Sequence, residues 1–221
     1  FEMVTLVGSW ARERHIQRGA LRFGRQMVSS VKGESSHQEH PFLALVTPET
    51  TQGTGEVYAM NFVYSGNFMA QAELTQFRQV RMTMGIHPDH FCWNLRPGES
   101  FQAPEVVLTY SAEGLGLMTR NFHDFYREHL IRSPYKYRKR PVLINNWEAT
   151  YFDFDSEKLL AIAREAKKAG IEMLVMDDGW FGKRNLDDCS LGDWTVNEEK
   201  ITSGLPDLVE KVNEIGLQFG I

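Results

Sequence analysis

The chain has 221 residues, with 24 Lys+Arg against 29 Asp+Glu and a formal net charge of -5. At 24% charged and 42% hydrophobic residues it has a globular rather than a disordered composition. The mild acidity leaves no electrostatic footprint for nucleic acid or an anionic membrane surface. No apolar run approaches the roughly 18 residues a membrane-spanning helix needs.

The first residues, Phe1 to Gly8, carry neither an initiator Met nor a basic region ahead of an apolar stretch, so they read as an excerpt with no signal peptide. Short segments of β-forming residues then recur at 2–7, 26–31, 42–46, 56–64, 67–74, 79–85, 91–95 and 100–110, separated by Gly-, Pro- and Asn-containing turns. Many short strands at this spacing predict a β-sandwich over 1–116. From 117 to 131 the period becomes helical, with Leu117, Phe122, Phe125, Tyr126 and Leu130 at three- and four-residue steps. A basic connector, 132–140, follows and reads as a solvated linker, so 117–140 is expected to join two domains.

Beyond Pro141 the pattern is strand, helix, strand, helix, strand. Residues 142–145 form a short apolar run. Asp155 or Ser156 caps a helix with Leu159, Leu160, Ile162, Ala163 and Ala166 on one face, Lys167 and Lys168 in its last turn, and Gly170 as its stop. Residues 171–176 are almost continuously apolar, as in a parallel strand covered on both faces. Pro206 opens a second helix, and 217–221 begins a third strand. The expected fold is therefore an antiparallel β-sandwich portion followed, over 141–221, by a parallel α/β layer, either a barrel or a doubly wound sheet. Two and a half βα units cannot close an eight-stranded barrel, so the chain is expected to be a piece cut inside its catalytic domain.

Active sites of parallel α/β layers lie at the C-terminal strand ends. There the sequence places Asn145-Asn146-Trp147-Glu148 and Asp177-Asp178-Gly179-Trp180. About 27 residues separate Asp178 from Pro206, against the usual 2–6. Adjacent carboxylates beside Gly and Trp suit a sugar: carboxylates accept short hydrogen bonds from hydroxyls, and an indole covers the apolar face of a pyranose. The plain alternative is a loop in which Asp177 caps a turn and Asp178 is solvated. His87-Pro88-Asp89-His90 spaces two histidines like metal ligands but offers no third ligand, and Ser35-Ser36-His37 is followed by no Ser–His–Asp order. Gly114-Leu115-Gly116 is too short for a phosphate-cradling loop. Cys92 and Cys189 lie far apart and suggest a reducing, cytoplasmic location rather than a disulfide framework.

The run Pro141-Val142-Leu143-Ile144-Asn145-Asn146-Trp147-Glu148-Ala149, followed by Met176-Asp177-Asp178-Gly179-Trp180-Phe181-Gly182, resembles the α-galactosidases of glycoside hydrolase family 36. Leu191-Gly192-Asp193-Trp194, Gly204-Leu205-Pro206, Ser35-Ser36-His37-Gln38 and Pro41-Phe42 are similar to further segments of that family, which more often shows Asn at the position of His40. The resemblance implies part of an N-terminal β-supersandwich followed by an incomplete (β/α)8 barrel. It also implies retaining hydrolysis of terminal α-1,6-linked galactose from melibiose- and raffinose-type oligosaccharides through a galactosyl-enzyme intermediate. The family's nucleophile and acid/base lie on the fourth and sixth barrel strands, so the resemblance assigns no catalytic residue to this chain. It assigns Asp177 and Asp178 to the galactose hydroxyls at C4 and C6 and Trp147 to the same subsite, with Trp180 adjacent. No metal or organic cofactor is implied. The partners implied are a galactoside oligosaccharide, no nucleic acid and no membrane, with a homo-oligomer, a tetramer in the family. Related α-N-acetylgalactosaminidase or galactosyl-transfer activity on the same scaffold is the main alternative, and a non-catalytic carbohydrate-binding module is a second. Adjacent residues leaving a strand diverge, which makes Asp177 and Asp178 poor candidates for two carboxyls about 5–5.5 Å apart across a scissile bond.

Overall fold

Residues 1–221 are described by a computed structural model and divide into two units, Phe1–Arg132 and Ser133–Ile221. The first contains eight strands: β1 (Glu2–Ser9), β2 (Arg12–Ala20), β3 (Gly24–Ser30), β4 (Phe42–Val46), β5 (Val57–Val63), β6 (Phe68–Leu74), β7 (Val80–Ile86) and β8 (Glu105–Ser111). They form a five-stranded sheet in the order β2-β1-β4-β5-β8 and a three-stranded sheet in the order β3-β6-β7, antiparallel throughout.

Strand β4 explains the layering. All five of its residues are buried, and because side chains alternate across a strand they feed two different cores. Leu43 and Leu45 meet Val28, Phe62, Phe68, Ala70 and Ala72 between the two sheets. Phe42, Ala44 and Val46 face the other way, packing with Val4, Val57 and Ala59 under Met118 and Phe122 of helix α1 (Gly114–Phe125). That helix begins against the turn at 51–55. The N–H groups of Gly114, Leu115 and Gly116 donate to the carbonyls of Gly55, Thr51 and Gln52, so three of the orphan donors of a helix start are satisfied. Gly114 has φ +75, and a Cβ there would lie 2.5 Å from the Thr51 carbonyl oxygen. The glycines of Gly114-Leu115-Gly116 serve this close approach.

The strand expectations differ from the structure in three places. Residues 12–20 form a strand that alternation does not announce: all nine are exposed, and pairing with β1 makes the strand. Residues 91–95 are irregular, and β8 begins only at Glu105. The helix starts at Gly114, three residues before the expected position, and continues into a π-helical turn at Tyr126–Leu130. No helix is long and apolar enough to cross a membrane.

The second unit holds three parallel strands, β9 (Leu143–Asn145), β10 (Met173–Val175) and β11 (Gln218–Gly220), paired in the order β11-β10-β9. The order follows the chain, as it does around a (β/α)8 barrel and within one half of a doubly wound sheet. After β9 comes a single helical turn, α2 (Trp147–Thr150), then helix α3 (Ser156–Lys168); helix α4 (Leu205–Glu214) connects β10 to β11. The Asp155 side chain accepts from the Lys158 N–H at 2.8 Å, an N-cap, and Gly170 at φ +84 closes the far end. Leu159, Leu160, Ala163 and Ala166 of α3 and Leu208 and Val212 of α4 share one core with Leu174, Met176, Phe154, Ile201 and Leu217.

Candidate functional site

Because β9 and β10 are parallel and in register, Asn145 lies opposite Val175 and both chains leave the sheet at the same end. Asn146, fully buried, joins the two exits. Its Oδ1 accepts from the Asp177 N–H at 2.7 Å, and its Nδ2 donates to Thr150 Oγ1 at 2.9 Å. Asn145 acts on the carboxylate itself, donating from Nδ2 to Asp177 Oδ2 at 2.5 Å, while its Oδ1 accepts from the Trp147 N–H at 2.7 Å. The other Asp177 oxygen accepts from the Asp178 N–H at 2.7 Å. A carboxylate oxygen has two acceptor positions, so each Asp177 oxygen keeps one open. This half-buried carboxylate is thus fixed in direction and still able to receive two hydroxyl donors.

Asp178 is built differently. Its Oδ1 accepts from the Gly179 N–H and from Arg184 Nε, both at 2.7 Å, and its Oδ2 accepts from Arg184 Nη2 at 2.7 Å. Both positions on Oδ1 are filled, and Oδ2 has one open. The Arg184 fork, with the Gly179 N–H and the charge of Lys200 assisting against burial, holds the Asp178 carboxyl below the usual carboxylate range. The Arg184 side chain is only 6% exposed. Its Nη1 donates to the carbonyls of Leu186, Asp187 and Cys189 at 3.1, 2.9 and 2.8 Å, and its guanidinium lies over Phe152 and Phe181. Lys200 Nζ makes a second knot, donating to the carbonyls of Phe152, Gly179 and Arg184 at 2.8, 2.9 and 3.3 Å; burial lowers its pKa. The long loop after β10 is therefore held by two cations whose hydrogen bonds converge on backbone oxygens.

The aromatic residues occupy two groups. Trp147 meets Tyr151 and Phe152 edge-on, with ring centroids 5.3 and 4.9 Å away. Trp180 meets Phe181 edge-on at 5.2 Å and lies 6.4 Å from Trp194, and it packs against the core of the unit. Trp147 and Trp180 are both half-buried, whereas Trp194 is exposed.

Asn145, Trp147 and Asp177 are brought together by direct hydrogen bonds, and Asp178 joins them through its N–H. Sequence reasoning placed Asn146 in the strand-end run without giving it a role, and did not single out Arg184 or Lys200. Lys183-Arg184 reads as surface charge, and only an acid six residues upstream hints at pairing. His87 Nδ1 accepts from the Asp89 N–H at 3.0 Å, a local turn, and Ser36 Oγ accepts from the Gln38 N–H at 3.2 Å. No group of three His, Cys, Asp or Glu is placed to hold a metal ion.

Residues 100–221 match the family model Melibiase, and residues 1–96 match the glycosyl hydrolase family 36 N-terminal domain. The chain is 53% identical over all its 221 residues to α-galactosidase AgaA of Geobacillus stearothermophilus and 48% identical to α-galactosidase 1 of Pediococcus pentosaceus. It spans 30% of the length of each. The crystal structure of AgaA superimposes with a TM-score of 0.93 at 54% identity, covering 99% of this chain and 30% of that one. Variants of AgaA, at 53% identity, the same TM-score and the same coverage, have been crystallised in complex with stachyose and with raffinose.

Proposed function

This chain belongs to glycosyl hydrolase family 36, and from that membership we propose that the protein is an α-galactosidase. It removes terminal α-1,6-linked galactose from melibiose- and raffinose-type oligosaccharides with retention, through a galactosyl-enzyme intermediate. The observation that carries the reading is chain-long identity of 53% to an α-galactosidase whose variants have been crystallised with raffinose and stachyose. In this reading the residues at the ends of β9 and β10 bind the sugar and the reacting carboxylates lie outside the chain. Asp177 is the better-equipped hydroxyl acceptor, with an open position on each oxygen. Asp178 offers one through Oδ2, Trp147 lies against the sugar face, and Trp180 borders the same subsite with part of its ring committed to the core.

The protein acts as a homo-oligomer, a tetramer by family resemblance, in a reducing cytoplasm. Two free thiols, Cys92 and Cys189, support the location. Cell fractionation and light scattering test these two points.

The test of activity is hydrolysis by the full-length protein of raffinose, an aryl α-galactoside and an aryl α-N-acetylgalactosaminide, with the first-formed anomer followed by proton NMR. Release of α-galactose first, with little turnover of the N-acetyl substrate, is expected. Release of the β-anomer first, or preference for the N-acetyl substrate, overturns the reading.

A further inference from the structure

Arg184 is the least exposed charged side chain near the strand ends, and all three of its nitrogens are used. Nε and Nη2 form a fork on Asp178, and Nη1 collects three carbonyls of the loop that follows. A planar guanidinium spreads five N–H donors over three nitrogens, with the two on Nη1 shared among the three carbonyls; a lysine ammonium supplies only three donors from one point and cannot form the fork. The three carbonyls tie the guanidinium to its own loop, and the fork then fixes the rotamer of the carboxylate. With Oδ1 saturated by Gly179 and Arg184, a new donor can reach the carboxylate only at Oδ2.

We infer that Arg184 is a positioning residue for substrate selection: it aims the single open acceptor of Asp178 at one galactose hydroxyl and links that aim to the 183–189 loop. The inference rests on the reading that Asp178 binds the sugar. Arg184 contacts no reacting atom in this scheme and acts through Asp178.

A supporting consequence concerns pH. The charged groups facing Asp178 are Arg184 and Lys200, and Arg184 in turn faces Asp187 and Cys189. The fork favours the ionised carboxylate, so removing the guanidinium moves the Asp178 carboxyl up from its lowered position. A purely structural arginine would leave the acid limb of substrate capture where it is.

The experiment is a double-mutant cycle in the full-length protein with Arg184→Gln, Asp178→Asn and their combination, plus Arg184→Lys. kcat/KM on an aryl α-galactoside is recorded against pH, and each variant's melting curve is recorded alongside. Arg184→Gln is expected to lower kcat/KM about 10- to 100-fold, the scale of one misdirected charge-assisted hydrogen bond. Its acid limb should move to higher pH, and Arg184→Lys should recover only part of the loss. In the Asp178→Asn background the same Arg184 change should cost no more than about twofold, because the partner is already disabled. Equal losses in both backgrounds with an unmoved acid limb overturn the inference and leave the sugar-binding reading standing. Wild-type efficiency in both Asp178→Asn and Asp177→Asn overturns that reading, and the inference with it. Should the Arg184 variants fail to fold, a crystal structure of the unaltered protein with D-galactose decides. A galactose hydroxyl on Asp178 Oδ2 with the fork intact supports the inference; a fork opened by the sugar, or no hydroxyl on Oδ2, refutes it.

Discussion

Asp177 and Asp178 are neighbours with different surroundings, and their substitutions should separate function from folding. Asp177 is held by the neutral donors Asn145 Nδ2 and the Asp178 N–H, so Asp177→Asn removes charge without stranding a counter-charge. It should cut kcat/KM on α-galactosides about 10- to 200-fold while the melting curve stays close to wild type. Unchanged efficiency on galactosides would show that this carboxylate does not meet the substrate. Asp178→Asn deprives the enclosed Arg184 of the carboxylate that its fork holds, so both activity and melting temperature should fall. The pH dependence follows from the same pair. A carboxyl held below its ordinary value contributes stability that is complete above about 3.9 and disappears as pH falls through the depressed value. Acid unfolding of Asp178→Asn should therefore lack part of the steepness seen in the wild type, as circular dichroism against pH can record. Trp147→Ala is expected to weaken galactose binding by about 1–3 kcal/mol if the indole covers the sugar. A fall of roughly 3–5 kcal/mol in stability with unaltered KM would instead mark it as a packing residue.

Helix α1 shows what an element contributes beyond its sequence pattern. Its apolar stripe, Met118 and Phe122, continues into Tyr126, whose ring stacks on Phe122 at 5.8 Å and whose hydroxyl donates to Asn61 Oδ1 at 2.5 Å. Burial pushes the Tyr126 phenol up to about 12. A tyrosine whose folded pKa is raised contributes stability that is complete below about 10 and is lost as pH rises through about 12. Tyr126→Phe should cost about 1 kcal/mol at neutral pH, the usual value of one hydrogen bond, and should flatten the loss of stability in that alkaline window. Urea melts at neutral pH and between pH 10 and 12 would test both, and identical alkaline curves would refute the assignment. Elements with their cause in their own side chains were legible. Strand β4 is apolar at every position because both faces are covered, and α3 carries Asp155, Lys167-Lys168 and Gly170 at the positions helix ends require. Strand β2 was not legible, since Arg12–Ala20 has no buried face and owes its strand to the partner β1. At the site, the strand-end motifs were visible as runs of adjacent residues. Arg184 and Lys200 were not, because their roles come from carbonyls gathered by the folded loop, and carbonyls leave no trace in side-chain identity.

At the scale of the whole molecule, each unit builds its own core, and a single leucine tests each. Leu43 and Leu174 are both fully buried. Leu43 lies between the two antiparallel sheets, on the face of β4 that looks away from helix α1. Leu174 is the middle residue of β10, the central strand of the parallel sheet, and packs with residues of α3 and α4. Interiors are close-packed, and a short strand hydrogen-bonded on both sides cannot slide inward to fill a void. Truncation to alanine therefore leaves most of its cavity open at either place, costing about 2–5 kcal/mol. The two changes should register in different amides. Leu43→Ala should lower hydrogen-exchange protection in β4, β5 and β6, and Leu174→Ala in β9, β10 and β11, each in proportion to the lost stability. Of the two, Leu174 also bears on activity. Its strand sets the exit of Asp177, so Leu174→Ala should raise KM for α-galactosides as well as lower the melting temperature. If Leu174→Ala destabilises the fold by the expected amount yet leaves KM at the wild-type value, the strand ends are held by the Asn146 and Lys200 hydrogen bonds alone, and the core of the parallel sheet does not set the proposed sugar site.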